Sequence, residues 1–384
     1  MSWSGRRGNR GVYELRNYPG EVRSFINMNS RDIARLRLIN QRLASPHQEA
    51  APDQLVRWMG CIQAQDYAMA KYAIGVRLKN AIDQTVEDAL NKADIIRSHV
   101  LRPTWHFVHA KDIRWMLELT SQNLNRSMSS NYKRLELDGK TFNKANSIIE
   151  KLLLDGNQLT RKEIMTALEQ KGIRTNELRA IHIMFKAETD LVVCNGIKKD
   201  KQFTYALLDE RVPWTRKISK EQALAKLAER YFLSHGPATI QDFSWWSGLS
   251  VADGKNAVES IKSNLISEKL NDHTFWFSNK SINVNPKTNT LFFLPSYDEF
   301  LISYKSRWIS MDPKFSSNTF TTNGIFNPII VYNAKVIGTW KPQLKKNILI
   351  KEYFFAPPTQ RQKQLSSKSA KEFGRFMQKK ITTR

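Results

Sequence analysis

Two glutamines one residue apart, Gln63 and Gln65 in the run Trp58-Met59-Gly60-Cys61-Ile62-Gln63-Ala64-Gln65-Asp66, carry the most chemical promise in this chain. A glutamine amide has no useful proton-accepting pKa, so neither residue can serve as a general base near neutral pH. Its carbonyl can orient a water and its NH2 can donate. That suffices only where the leaving group is already activated, as in a purine alkylated at a ring nitrogen, which carries positive charge and departs neutral. A sugar left behind would develop oxocarbenium character, and two amide oxygens nearby would support that cation. The residues leave a second reading open: a polar turn whose amides cap helix ends. Asp66 reads as the N-cap of the next helix.

The elements that would hold such a pair sit in a strongly basic chain. Lys and Arg outnumber Asp and Glu by 60 to 36, a formal charge of +24, which favours a polyanionic partner. Arg6, Arg7, Arg10, Arg16 and Arg23 account for only part of the excess, so the folded middle is basic too. A hydrophobic content of 41% with ten Trp and nineteen Phe supplies real cores. No apolar run approaches the ~18 residues of a membrane span, and the N-terminus lacks a signal-peptide core. Cys61 and Cys194 stand far apart, and no His spacing completes a metal cage, so no metal is expected. Gly-poor loops and the absence of a phosphate loop or dinucleotide fingerprint argue against a nucleotide cofactor. The expectation is a cytoplasmic, monomeric protein without cofactors, held to double-stranded DNA in the bacterial nucleoid.

Periodicity gives an α+β reading with one plan used three times. Ser30 is the expected N-cap of a helix carrying Ile33, Leu36, Ile39 and Leu43, and Pro46 stops it. A second helix follows Pro52, a third follows Asp66, and a short one covers 86–90. Strand-like runs at 95–100 and 104–108 complete a winged helix-turn-helix pattern. The plan recurs from the capping box at Thr160 and Glu163, with a helix after Thr175 and a basic wing at 195–201. It recurs again from the capping box at Ser219 and Gln222 through helices near 240–246 and after Ser250, to a hairpin turned at Asn271-Asp272. Beyond Asn289, alternating apolar runs predict a β-rich module. The domain reading is thus a basic arm (1–28), three tandem winged helices (29–118, 119–212 with a linker helix, 213–285), the β-rich module (286–358) and a basic tail (359–384).

The DNA-contact candidates follow from this frame. Lys71 and Arg77 are expected on the outward side of the third helix, and Arg179 and Lys186 on the polar face of the helix after Thr175. Lys198, Lys199 and Lys201 lie on the second wing, as phosphate contacts or as a merely solvated turn. Arg102 sits at the first wing. Thr104 and His106 alternate on a predicted strand and share one face, facing DNA or, for His106, buried and bonded to backbone. Trp245-Trp246 could stack on bases or divide into core and cover.

From about Ser30 to Lys341 the chain resembles the winged-helix DNA glycosylases of the AlkZ and YcaQ type. Gln63-Ala64-Gln65 matches that family's glutamine–aliphatic–glutamine motif. Arg102-Pro103-Thr104-Trp105-His106 stands where the family has an Arg-Gly-Thr-Leu-His-like segment, with Pro in place of Gly. Leu294-Pro295-Ser296-Tyr297-Asp298-Glu299 with Tyr304 and Arg307 resembles its Asp-to-Arg segment, and adds Arg307 to the DNA contacts. The run 331–340 resembles its C-terminal hairpin, with Ala334 where Gly is usual. The resemblance implies three winged helices in a C-shaped body, and a monofunctional glycosylase for cationic alkylated purines, including interstrand crosslinks. It implies Gln63 and Gln65 as catalytic residues. The alternative is a winged-helix DNA-binding protein or transcriptional regulator without catalysis.

Overall fold

A computed structural model describes residues 28–44, 51–279 and 289–382. Of the expected features, the basic arm (apart from Met28), the Pro46 stop and the boundary at 285 and 286 lie outside the described residues. Asn29, not Ser30, caps the Ser30–Asn40 helix: its Oδ1 accepts from the Arg31 and Asp32 N–H groups, while Asp32 accepts from the Asn29 N–H. Both residue types cap well, and the reciprocal bond to Asp32 favours the earlier one.

The next helix, Pro52–Met59, begins with proline at a position that needs no N–H donor, and ends at Gly60 with φ 80°. The chain then enters a short strand, β1 (Cys61–Gln63), which the sequence did not announce. Helices Tyr67–Gly75 and Asp83–Asn91 follow, then β2 (Ile95–His99) and β3 (Trp105–His109). The sheet order is β1-β3-β2, antiparallel throughout, with Gln63 opposite His106 and His106 opposite Ser98.

The same order recurs. After the long helices Ala110–Ser127 and Gly139–Leu153 come β4 (Leu159–Thr160), helices Arg161–Gln170 and Arg179–Thr189, then β5 (Val193–Asn195) and β6 (Thr204–Leu207), ordered β4-β6-β5. The capping box at Thr160 and Glu163 starts the first of that helix pair. In the third unit, helix Lys220–Ser234 carries the expected capping box at Ser219. It leads to helices Ile240–Ser247 and Val251–Ser260 and the hairpin β7 (Leu265–Leu270) and β8 (His273–Ser278). Ala238 bridges Trp276 of β8, in the place a first strand takes in the other two units.

Strands β9 (Leu291–Leu294), β10 (Ile329–Tyr332), β11 (Lys335–Leu344), β12 (Ile348–Phe354) and β13 (Ile381–Thr382) form a five-stranded sheet ordered β13-β12-β11-β10-β9. Its β10–β11 turn puts Asn333 and Ala334 at φ 48° and 67°, the two left-handed residues that a tight hairpin turn requires. Within the expected basic tail, residues 360–376 and 381–382 form regular structure. Helix Gln360–Phe376 buries Phe373 against Tyr72 and Trp340, and β13 joins β12 in parallel. A basic composition hid an amphipathic face whose aromatic residues complete the sheet's cover.

Strand alternation explains where the first sheet sits. Cys61, Ile96 and Val108 face one core, shared with Tyr231, Phe243 and Trp246 of the third unit. Ile62, Ile95 and Phe107 face the opposite core, shared with Phe293, Trp340 and Phe373 of the C-terminal module. Gln63 and His106 continue the first of these faces just past its apolar part. The fold is α+β, and its first sheet is sandwiched between two other units.

Candidate active site

The N–H groups of Gln63, Ala64 and Gln65 and the Ala64 carbonyl all have partners. The Gln63 N–H donates to Glu299 Oε1 at 2.7 Å, and the Ala64 N–H to the Trp105 carbonyl at 2.6 Å. The Ala64 carbonyl accepts from the Arg97 guanidinium at 3.1 and 3.3 Å, and that guanidinium stacks 4.3 Å from the Trp105 ring centre. The Gln65 N–H donates to the side-chain oxygen of Gln63 at 3.1 Å. The peptide carrying the glutamine pair is therefore held from several directions. Gln63 is 3% exposed, whereas Gln65 is exposed to solvent. Asp66 caps the Tyr67–Gly75 helix as expected, accepting from the Met69 N–H at 3.2 Å, and its other oxygen accepts from Ser296.

The turn from β2 to β3 is unusually tight. Arg102 N–H donates to the Val100 carbonyl and Thr104 N–H to the Arg102 carbonyl, each at 2.7 Å. These are two successive three-residue turns, one centred on Leu101 at φ 63° and one on Pro103, whose ring fixes the φ such a turn needs. Between them projects Arg102. Gly248, at φ 70°, packs on the Leu101 carbonyl so closely that a Cβ there would collide with it. The third unit thus packs directly against this turn of the first.

Four buried polar atoms in this region lack a protein partner: Arg102 Nε and Nη2, Thr104 Oγ1 and His106 Nε2. His106 is buried, and its Nδ1 lies 2.8 Å from the Thr104 carbonyl. Only a protonated Nδ1 can bond that oxygen, so in the neutral ring Nε2 is an acceptor. Burial, reinforced by the Arg102 charge, pushes the His106 pKa down to about 3. Arg102 and Arg307 lie 6.0 and 5.6 Å from the Trp245 ring centre, and Trp245 is half-exposed with its N–H on the Ile302 carbonyl. Burial, then repulsion from Arg102, lowers Arg307 to about 10. Trp246 beside it is fully buried core, so the pair divides into core and cover.

Glu299 lies behind the glutamines at 1% exposure. Burial opposes its charge, but His235 with Nε2 3.7 Å away, the Ser303 hydroxyl and the Gln63 N–H outweigh it and hold the carboxyl down at about 2. A groove of about 610 Å³ elsewhere, beside the Arg161–Gln170 helix, is lined by Lys162, Glu163 and Lys199 and includes none of these groups. Among the described residues no cluster of His, Cys, Asp or Glu could hold a metal ion, and no helix is long and apolar enough to cross a membrane.

Residues 56–376 match the family model described as DNA glycosylase AlkZ-like. The chain belongs to that family. AlkZ-like proteins are DNA glycosylases by description, so DNA is the polymer to which this basic chain is matched. The fold agrees with the solved structure of Streptomyces sahachiroi DNA glycosylase AlkZ, with a TM-score of 0.79 at 15% identity, covering 94% of this chain and 100% of that one. A search of curated proteins returns no match.

The cations expected to meet DNA fare unevenly in this AlkZ-like fold. Lys71, expected to point outward, is buried and ion-paired with Asp83 and Glu87 at 2.7 Å each. Arg77, also expected outward, is 1% exposed and bonds both oxygens of Asp298 at 2.8 Å. Arg179 is buried and spends its guanidinium on the Arg174 and Leu135 carbonyls. Helical periodicity marks these three as polar, but it cannot show their acceptors: the next helix for Lys71, the C-terminal module for Arg77, which lies just past the end of its helix, and nearby loop carbonyls for Arg179. Lys186 pairs with Asp190 one turn on, and Lys198 crosses to Glu87 at 3.0 Å. Lys199 lies 4.0 Å from Glu163 and is half-exposed, and Lys201 is exposed. His106 and Thr104 lie beside the glutamine strand, Arg102 acts electrostatically on Cys61 and Glu299, and Arg307 is linked to Arg102 through Trp245. Sequence reasoning missed Arg97, Glu299 and His235, because each acts through a partner remote in the chain.

Proposed function

We propose that this AlkZ-like protein is a monofunctional DNA glycosylase that hydrolyses the N-glycosidic bond of cationic alkylated purines, of the N7-alkylguanine type and including interstrand crosslinks. On this reading the three recurrent units are tandem winged helices, arranged as a C-shaped monomer around duplex DNA. The observation that carries it is Gln63, buried on a backbone tied down from several sides, beside unpartnered polar atoms. A rigid amide oriented in advance costs no reorganisation during reaction. Gln63 and Gln65 grip the attacking water and support the sugar cation. His106 Nε2, an acceptor without a protein partner, takes a hydrogen bond from the same water. Arg102 and Arg307, which share the Trp245 face, take backbone phosphates flanking the lesion. Protonation of the leaving base is unnecessary because alkylation has already made it cationic.

One observation favours a second reading, binding without cleavage: Gln63 is nearly buried, and its side-chain oxygen is engaged by the Gln65 N–H. The two separate cleanly. Wild type and a Gln63→Ala/Gln65→Ala variant are incubated with duplex DNA carrying N7-methylguanine, and abasic sites are counted. Release by wild type alone, with binding retained in the variant, is the expected result. Equal release by both refutes the glutamine mechanism, and release by neither favours binding alone.

A further inference from the structure

β1 is an outer strand of its sheet, so alternate N–H groups along it point away from β3. The Ala64 N–H turns inward to Trp105, which leaves the Gln63 N–H directed off the edge. Among the described residues no strand meets it there. Its acceptor is the carboxylate of Glu299, 236 residues away in sequence. That carboxylate is itself held firmly. Its second oxygen accepts from Ser303, and its backbone carbonyl accepts from the Gln41 amide at 3.3 Å. The preceding residue, Asp298, is locked to Arg77 by two bonds of 2.8 Å. A buried carboxylate is costly unless such bonds satisfy it, so these contacts fix where its oxygens stand.

We propose that Glu299 is a positioning residue for base excision: by holding the Gln63 N–H it sets the rotation of that peptide, and so the aim of the Gln63 side chain. The inference rests on the glycosylase reading above. Glu299 touches neither water nor DNA in this role; its reach matters, and its charge is secondary.

Two substitutions separate reach from charge. Glu299→Asp keeps the charge and withdraws the oxygens by about 1.5 Å. Glu299→Gln keeps an oxygen at the same distance and removes the charge. Single-turnover release of N7-methylguanine at saturating protein is measured for each, with DNA affinity and the Gln63 amide proton shift by NMR. The Asp variant should lose about 10- to 100-fold in rate at unchanged DNA affinity, with the Gln63 amide proton moving upfield. The Gln variant should stay within about 3-fold of wild type, since a misplaced group, not a lost charge, is what such a role penalises. A Gln variant as slow as the Asp variant, or an Asp variant at wild-type rate, overturns the proposal. Should the Asp variant not fold, Ser303→Ala loosens the same carboxylate, and a wild-type rate with an unmoved Gln63 amide overturns it equally. Wild type that releases no base sinks the glycosylase reading and this role together, whereas an unmoved Gln63 amide in an active series sinks the role alone.

Discussion

Acidification should destabilise this protein through His106, and the size of the effect follows from its surroundings. The ring is 1% exposed, bonded through Nδ1 to the Thr104 carbonyl, and near Arg102. Its folded pKa of about 3 compares with a value near 6.5 in an unfolded chain. Between those two values the unfolded chain binds a proton that the native protein refuses. Stability contributed by the neutral ring is complete above about pH 6.5 and is lost as pH falls, at about 1.4 kcal/mol per pH unit. From pH 7.5 to pH 4.5 that amounts to about 3 kcal/mol. Urea unfolding followed by tryptophan fluorescence across that range, on wild type and on His106→Asn, isolates the effect. The asparagine amide can donate to Thr104 as Nδ1 does, but it does not titrate. Wild type should lose about 3 kcal/mol more than the variant over the range, with the difference growing steadily below pH 6.5. Parallel losses within about 0.5 kcal/mol would show that His106 accepts a proton freely in the native protein, and would remove the argument that Nε2 is a permanent neutral acceptor.

The buried Arg77–Asp298 pair predicts a larger, pH-independent effect near neutrality: Asp298→Ala leaves an uncompensated guanidinium at 0% side-chain exposure and should cost about 3–5 kcal/mol, read as a lowered urea midpoint. Arg102→Ala and Arg307→Ala should each reduce the log–log salt dependence of duplex binding by about 0.9, measured by fluorescence anisotropy over a potassium chloride series. Lys198→Ala should leave that slope nearly unchanged, because Lys198 is already paired with Glu87.

Much of the fold was legible from local chemistry. The caps at Asp66, Thr160, Ser219 and Ser250, the hairpin turned at Asn271-Asp272 and a β-rich module beyond Asn289 lie where pattern places them. The shift of the first cap from Ser30 to Asn29 shows the limit of that reading, since two good capping residues in succession are separated only by which one Asp32 can reach. β1 escaped notice because three residues are too few to display alternation, and it exists only by pairing with β3, more than forty residues later. The terminal helix was hidden by its basic composition, and its apolar stripe gains meaning only against Tyr72 and Trp340.

For the site, the sequence alone made visible the glutamine pair and the helix cap beside it. These rest on side-chain chemistry and on contacts within three or four residues. Tertiary structure decided everything that depends on a remote partner: that Lys71 and Arg77 are structural ion pairs, that Arg102 and Arg307 share one tryptophan, and that a carboxylate stands behind Gln63. Arg77 meets Asp298 across 221 residues, and Gln63 meets Glu299 across 236. A charge becomes a DNA contact or a structural clamp according to the acceptor that packing places beside it, and that acceptor is set by the cores joining the first unit to the third and to the C-terminal sheet.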